Sequence, residues 1–408
     1  MALALKLSWR NVLRNRRRSL IAGIAIGVGL AALMVTDAIT LGMQVAMLHS
    51  ATGSFMGEAQ IHGEGFRETL AVEKTIKNPR QVLSQLDSDS LVSRYAPRVM
   101  TLGMASSSAN VSTVTLVGVD PLREIRLSEI DDALVQGEYL DPQAPRDLII
   151  GSGLADLLEV GLGDRVVLTA AAAHTGELSQ ELFRVSGIFH LNVTELDRMI
   201  VYVHLSTAQQ MLALEDNIHE VALGFHDIDD AGRTDDLFWT RFEASGNEAV
   251  GWRTLLPGLS AAFELVAVQM VIIGLILFGI VSLGIINTLF MSLYERMFEF
   301  GVLRAVGTRP GAMARLVILE AGWLGAIGVV FGVLLAALTI WILGQTGIDY
   351  SGVEFAGATM RELLYPVSHT SQYTIYPTIV FVLTAVVGLY PALYAARLTP
   401  AEAMRRAM

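Results

Sequence analysis

The stretch SLYERMFEFGVLRAVGTRPGAMARL, residues 292–316, lies between two long apolar runs and carries Glu295, Arg296, Glu299 and Arg304 in close succession. A plain loop would be polar and rich in Gly and Ser. A continuing membrane helix would not hold so many charges. Yet apolar residues recur at helical spacing: Tyr294, Met297/Phe298, Gly301/Val302 and Ala305 share one stripe, while Glu295 and Glu299, like Arg296 and Arg304, lie off it. Gly307 is placed to end such a helix in the left-handed region, Thr308 to cap the next one, and Pro310 to sit in its first turn. The chain therefore leaves the membrane, makes a short amphipathic helix, turns sharply and returns. Spacing alone leaves open whether that helix rests on lipid headgroups or docks a cytoplasmic partner.

Working outward, the 408 residues are 52% hydrophobic and 17% charged, more apolar than a soluble domain. A helix needs about 20 consecutive apolar residues to cross a bilayer. Residues Leu20–Leu41, Leu265–Leu293, Leu316–Leu343 and Tyr376–Ala396 meet that requirement. The expected fold is a membrane protein with four transmembrane helices, long stalk helices 1 and 2, and a large α+β extracytoplasmic domain. Its expected segments are a cytoplasmic basic amphipathic helix (1–19), the first span and stalk (20–53), the outer domain (54–260), the second stalk and span (261–293) and a cytoplasmic helix and turn (294–315). The third span (316–343), a short outer loop (344–374), the fourth span (375–396) and a cytoplasmic tail (397–408) complete the chain. Read as one helix, the roughly 34 residues of the first span and stalk reach about 50 Å, well past a hydrocarbon core of about 30 Å. Gly23, Gly27 and Gly29, with neighbouring alanines, permit close helix approach in lipid.

Charge sets orientation. Residues 1–19 hold six Lys and Arg and no acid, residues 294–315 hold Arg296, Arg304, Arg309 and Arg315, and the tail holds Arg397, Arg405 and Arg406. By the positive-inside rule these three flanks are cytoplasmic. Residues 43–262 hold 15 Lys and Arg against 31 Asp and Glu, and lie outside. The first apolar run continues through Met43, Val45 and Met47, longer than the core of a signal peptide, and is read as a retained span. There are no cysteines, which removes disulfide and thiol chemistry.

Candidate strands in the outer domain are 59–63, 113–119, 147–151, 165–170, 182–189, 199–205 and 220–225, with helix-like stretches at 79–86, 153–160 and 206–214. A composition break near Asn110 to Arg126 points to two lobes. Tyr373 and Tyr376 at one end of the fourth span, with Tyr390 and Tyr394 at the other, read as interfacial anchors. Catalytic signatures are missing: the only lysines are Lys6, Lys74 and Lys77, none after a glycine, so no phosphate-binding loop is present, and neither HExxH nor GxSxG occurs. His204 is read as a strand residue. The acidic strings at 129–133 and 227–236 are read as solvated helix faces and turns, with cation binding or repulsion of acidic lipid as the alternative. Asp37 and Glu264 lie near the outer ends of spans, and Glu320, about one turn into the third, is expected to snorkel or pair with Arg315. None is deep enough for a proton relay.

Several pieces together resemble the FtsX-like permeases: LKLSWRNVLRNRRRSLIAGIAIG at the N-terminus, YERMFEFGVLRAVGTRPGAM, GLYPALYAARLTPAEAMR at 388–405, and, in the outer domain, LIIGSGLADLLEVGLGDRVVLTA. The resemblance runs end to end and implies a membrane subunit of a type VII ABC system, similar to lipoprotein-releasing permeases and to the permease half of the macrolide exporters. It implies that Glu295, Arg296, Glu299, Gly301, Arg304 and Gly307 are coupling positions for a separate ATPase dimer. It implies no catalysis or cofactor in this chain, with ATP and Mg bound by that ATPase. A second permease, the same or a homologous chain, is expected, with lipoprotein cargo, a periplasmic carrier and no nucleic acid. The implied mechanism is mechanical: ATP-driven movement reaches the outer domain through the stalk, extracting lipoprotein from the bacterial inner membrane. Met43, Met47, Phe263 and Met270 are the candidate cargo cleft on the inner stalk, against simple stalk packing. In one partner of the lipoprotein systems a Pro-containing hairpin docks the carrier; the matching turn here, AAAAHTGELSQE (170–181), has no proline and is shorter. The alternatives are export of a small molecule or peptide through an adaptor and outer-membrane duct, or signalling to a cell-wall hydrolase.

Overall fold

A computed structural model of the chain describes residues 2–14, 16–191, 193–232, 237–243, 245–349, 354–355, 358–359 and 363–397. Two compact units divide it. One comprises residues 1–46, 263–351 and 362–408, the other 47–262 and 352–361. Arg405 and Arg406 of the basic tail, and Tyr350 and Gly352 of the last outer loop, lie outside the described residues.

The first unit is helical. Its helices are α1 (Ala2–Arg14), α2 (Arg16–Ala51, running on into the second unit), α3 (Pro257–Glu295), α4 (Met297–Ala305), α5 (Pro310–Thr346) and α6 (Gln372–Arg397). Four of these, α2, α3, α5 and α6, are long and apolar enough to cross a membrane. Two overshoot: 36 residues in α2 and 39 in α3 give helices of about 54 and 58 Å.

Small residues let the helices approach. A Cβ added at Gly27 would lie 2.8 Å from the carbonyl oxygen of Gly328, and one at Gly332 would lie 2.7 Å from that of Gly27. Gly23 and Gly27 of α2 therefore face Gly328 and Gly332 of α5, a reciprocal small-xxx-small crossing. Gly388 of α6 makes a similar approach, where an added Cβ would meet the Ala321 methyl at 2.6 Å. Around these crossings Ile26, Leu30 and Met34 form a buried core with Ile285, Leu289, Leu324 and Val380. The outer surface of α3 is left apolar, with Leu265, Val271, Leu275, Ile280 and Leu283 exposed. Water would not tolerate so long an uncovered stripe, which suits a lipid or helix neighbour.

The second unit is α+β. Its strands are β1 (Ala59–Gly63), β2 (Val92–Ser106), β3 (Val111–Val119), β4 (Leu134–Gly137), β5 (Asp147–Gly151), β6 (Arg165–Ala171), β7 (Leu178–Phe189), β8 (Ile200–His204), β9 (Glu220–Phe225) and β10 (Asn247–Gly251). They form one sheet in the order β10-β1-β9-β2-β3-β8-β5-β7-β4, with β6 bridging β2 and β7. The expected two lobes are therefore absent: β3, inside the composition break, is a central strand, antiparallel to β2 and parallel to β8. His204 closes β8, as expected of a strand residue. The hairpin between β6 and β7 pairs Ala171 with Leu178, so its turn is short. Of the acidic strings, Asp227 serves as a helix cap, its carboxylate accepting from the Asp229 amide at 3.0 Å, and residues 233–236 lie outside the described set.

Both helical connections reach this sheet at one place. After α2 comes a π-helical turn, Thr52–Met56, closed by the Gly57 amide on the Thr52 carbonyl at 2.9 Å. Gly57 has φ +73°, and an added Cβ would lie 2.9 Å from the Leu223 carbonyl oxygen, so glycine is required on both counts. The chain then enters β1, whose first residue, Ala59, pairs with Gly251, the last residue of β10. A four-residue helical turn, Trp252–Leu255, leads from there to α3. The start of one edge pair and its finish thus coincide.

Beneath the π turn lies a buried charge cluster. The Arg98 guanidinium donates to both oxygens of Glu124 (3.0 and 2.6 Å) and to Glu220 (3.0 Å), and stacks 4.8 Å from the Phe55 ring centroid. Nearby in β1, His62 is fully buried, and burial pushes its imidazole down to about 4, with Arg67 adding to the effect. A histidine held neutral in the folded state favours folding above its unfolded value of 6.5, and that contribution is lost as pH falls from 6.5 toward 4. It amounts to about 3 kcal/mol. Amide exchange in β1, compared at pH 7 and pH 4.5 after correction for intrinsic rates, is expected to speed up at the lower pH, and His62→Asn to remove most of that dependence.

Candidate functional site

The charged segment departs from the spacing at its start, where Tyr294 and Glu295 close α3 and Arg296 (φ −111°, ψ 16°) breaks the helix before α4, and follows it from Met297 to Gly307. Helix α4 ends there with the Thr308 amide on the Leu303 carbonyl (2.9 Å) and the Gly307 amide on that of Arg304 (3.1 Å). With φ +97° at Gly307 this is a Schellman ending. The next cap differs from expectation: Arg309, not Thr308, stands at the start of α5, without a side-chain cap, and Pro310 takes the first turn. The Thr308 carbonyl is instead occupied by the Arg304 guanidinium at 3.2 Å.

The single apolar stripe read from the sequence divides into two faces. Met297, Phe300 and Gly301 turn inward, and the two larger side chains pack with Leu293, Met313, Val317, Ala392 and Ala395. Phe298, Val302, Leu303 and Val306 remain exposed, Val306 by 83%. The apolar residues therefore anchor the helix on one side and leave a second apolar patch uncovered.

Charges fix the anchor. Arg296, 6% exposed, donates to Glu320 at 2.6 Å and to Glu299 at 3.1 Å, and its guanidinium lies 5.1 Å from the Phe300 ring centroid. The expected pairing of Glu320 with Arg315 does not form: Arg315 points outward and is exposed, while Asn11 of α1 supplies a second donor to Glu320 at 2.6 Å. Arg14 of α1 also reaches Glu299 (3.0 Å), and Arg18 of α2 reaches Glu295 (2.8 Å). Burial raises the Glu299 carboxyl, but hydrogen bonds from Arg14 and Arg296 outweigh it and hold the group below the usual carboxylate range. On its other side α1 packs on α5, with Trp9 and Trp323 rings 4.7 Å apart and the Trp323 indole donating to Ser8 at 3.2 Å. The basic N-terminal helix, α4 and the start of α5 thus form one polar-bonded assembly. Among the six expected coupling residues, Arg296 and Gly301 lie inside it. Glu295, Glu299 and Gly307 are exposed at its surface, and Arg304 is partly so. Sequence reasoning missed Glu320 as the partner of Arg296 and Asn11 as the second donor to Glu320.

Of the expected cleft residues, Met270 lines a cavity of about 550 Å³ between the outer parts of α2, α3 and α6. Its sulfur accepts weakly from the Thr40 hydroxyl at 3.9 Å. Met43 and Phe263 are half-buried in the same unit but do not line that cavity, and Met47 belongs to the second unit. Two readings change here. Asp37 is not merely solvated: it accepts from Gln372 at 2.6 Å, and Tyr376 stands beside it. Tyr376 accordingly lines the cavity rather than acting as a free interfacial anchor.

Comparison with known proteins adds the following. Residues 271–400 match the FtsX-like permease C-terminal domain model, and residues 19–236 match the MacB-like periplasmic core domain model. The chain is 23% identical over 405 residues to the lipoprotein-releasing system transmembrane protein LolC of Xylella fastidiosa, covering 94% of this chain and 92% of that protein. It is 23% identical over 353 residues to LolE of Haemophilus influenzae, covering 84% of each. Among solved structures, the periplasmic region of MacB from Actinobacillus actinomycetemcomitans covers 50% of this chain and 94% of itself, with 14% identity and a TM-score of 0.35.

Proposed function

This chain belongs to the FtsX-like ABC permeases that carry a MacB-like periplasmic core domain, and from that premise we propose that it is the mechanically coupled membrane subunit of a lipoprotein-extracting transporter. Permeases of this family work with a cytoplasmic ATPase. In this reading the ATPase is a separate dimer that binds ATP and Mg, and a second permease, identical or homologous, completes the complex. The four long apolar helices span the inner membrane, with α1, α4 and the C-terminus cytoplasmic and the acidic sheet domain periplasmic. The lipoprotein cargo is carried over from the names of the similar LolC and LolE proteins.

The observation that carries the proposal is the two-faced α4. Its inner face is locked to α1 and α5 through Arg296, Glu299 and Glu320, so a push on α4 moves those helices together. Its outer face offers Phe298, Val302, Leu303 and Val306 to a partner groove, the pattern expected of a helix docking by anchors three and four residues apart. Arg296 acts here as a positioning residue, while the exposed apolar residues, with Glu295 and Glu299 beside them, meet the ATPase. Movement of α2 and α3 then arrives at the matched ends of β1 and β10.

The test uses the permease co-expressed with the ATPase it associates with. Val302→Asp with Leu303→Asp is expected to lower ATPase co-purification at least tenfold, since two charges would be buried without partners, while leaving membrane insertion and monomer stability unchanged. Retention of the ATPase by the double variant would remove the docking assignment.

A further inference from the structure

Helix α1 is held along one arc of its circumference. That arc runs from Arg14 and Asn11, bonded to Glu299 and Glu320, round to Ser8 and Val12, which are buried. The remaining arc is uncovered. At 3.6 residues per turn Leu5, Trp9 and Leu13 fall on one stripe of it and Lys6 and Arg10 on the next, and all five are exposed. Trp9, which also meets Trp323, marks where the packing stops. The bases divide in the same way. Of the six in residues 1–19, Arg14 pairs with Glu299 and Arg18 with Glu295. Lys6, Arg10, Arg16 and Arg17 are exposed and have no carboxylate partner among the described residues, and the segment holds no acid of its own. The Ser19 hydroxyl donates to the Val12 carbonyl at 2.8 Å, folding the start of α2 against the end of α1. Leu13 and Leu20 follow the two joined residues and are both exposed, and Ile21 and Ile24 continue the apolar surface along α2. The uncovered face of α1 thus runs into the outer surface of a helix long and apolar enough to cross a membrane.

We infer that the uncovered arc of α1 is a docking face for anionic phospholipid. Leu5, Trp9 and Leu13 enter the boundary between headgroups and acyl chains, and the four unpaired bases reach from it to the phosphates, as long basic side chains do at an interface. A zwitterionic headgroup carries its own cation and leaves those four charges uncompensated. An acidic protein surface would match the charges, but it would also have to cover an apolar stripe that joins the outer surface of α2. Each base near an anionic bilayer adds about fivefold to binding. The inner arc of the same helix is bonded to Glu299 and Glu320, so what α1 rests on also fixes where α4 and the start of α5 stand. The inference needs α2 to cross a bilayer; it depends on neither the cargo nor the ATPase.

The chain has no cysteine, so a single introduced one can be labelled alone. The full chain with Leu13→Cys, carrying an environment-sensitive fluorophore, is reconstituted into phosphatidylcholine vesicles with rising amounts of phosphatidylglycerol of the same acyl composition. Val330→Cys, at an exposed position midway along α5, is the control and is expected to report hydrocarbon at every composition. The label at position 13 is expected to move from water into the interface as phosphatidylglycerol rises. Adding Lys6→Gln and Arg10→Gln leaves the paired bases in place and is expected to raise the phosphatidylglycerol needed for half the change at least tenfold. Equal immersion in phosphatidylcholine alone would mean that the apolar stripe acts without its charges, and overturns the inference. A label that stays in water at every composition overturns it too, and assigns the face to an acidic protein. An unchanged response in the Lys6 and Arg10 variant has the same force. A control label outside hydrocarbon would instead overturn the membrane reading itself, and the inference with it. No ATPase enters the readout, so the coupling proposal keeps its own test.

Discussion

Arg296→Leu is expected to lower the stability of the helical unit by about 3–5 kcal/mol, the range for removing one partner from a buried ion pair. The loss comes less from the missing attraction than from what stays behind. Glu320, at 4% exposure, would keep only the Asn11 amide as donor among the described residues. Glu320→Leu leaves the guanidinium stranded and is expected to cost a similar amount. The double variant Arg296→Leu with Glu320→Leu replaces the pair by apolar groups and is expected to recover most of the stability. It is not expected to recover coupling, because α1 loses its Asn11 bond to α5. The measurement is a pair: the unfolding midpoint of the full chain in detergent, and stimulation of ATP hydrolysis in the assembled complex. A double variant as unstable as the singles would show that the ion pair is not what holds α4.

The second large effect lies in the periplasmic domain. Arg98→Met is expected to destabilise the sheet by about 3–5 kcal/mol, because Glu124 and Glu220 have side-chain exposures of 0% and 5% and share this one guanidinium. Burial already pushes the Glu220 carboxyl up, and Arg98 opposes that rise. Without Arg98 the folded state favours the protonated acid. A carboxyl whose folded value is raised supports folding below its unfolded value and loses that support as pH rises through the folded one. The variant is therefore expected to be closer to wild type at pH 5 than at pH 8, opposite in sign to the His62 effect. Unfolding midpoints at those two values decide it; equal losses at both would mean that the carboxylates find other partners.

Much of this architecture is written in the sequence because its signals are local. Apolar runs longer than a bilayer needs, Gly307 after a charged amphipathic turn, and Gly23 with Gly27 each carry their meaning within a few residues. What stayed hidden depends on residues far apart in the chain. Glu320 meets Arg296 and Asn11 through tertiary packing, and nothing near it distinguishes them from Arg315. The partner glycines, Gly328 and Gly332, sit in a run that already reads as membrane helix. Strand β2, the longest at 15 residues, contains Pro97, Gly103 and buried Arg98, all of which argue against a central strand when read alone. Only its pairing with β3, β6 and β9 accommodates them. Tyr376 misleads for a related reason: a tyrosine near a span end has an ordinary use at the interface, and the cavity it lines with Asp37 becomes visible only once α2 and α6 pack.

The central claim is that force applied at α4 reaches the sheet through the helices joined to β1 and β10. The measurement that tests it most directly is amide hydrogen exchange of residues 59–63 and 247–251 in the reconstituted permease–ATPase complex, with and without ATP turnover. The account predicts that protection of this strand pair changes with nucleotide in the wild type and stays constant in a complex held together by a tether but carrying Val302→Asp and Leu303→Asp. Exchange at these strands that ignores nucleotide, or that responds equally in the variant, would contradict it.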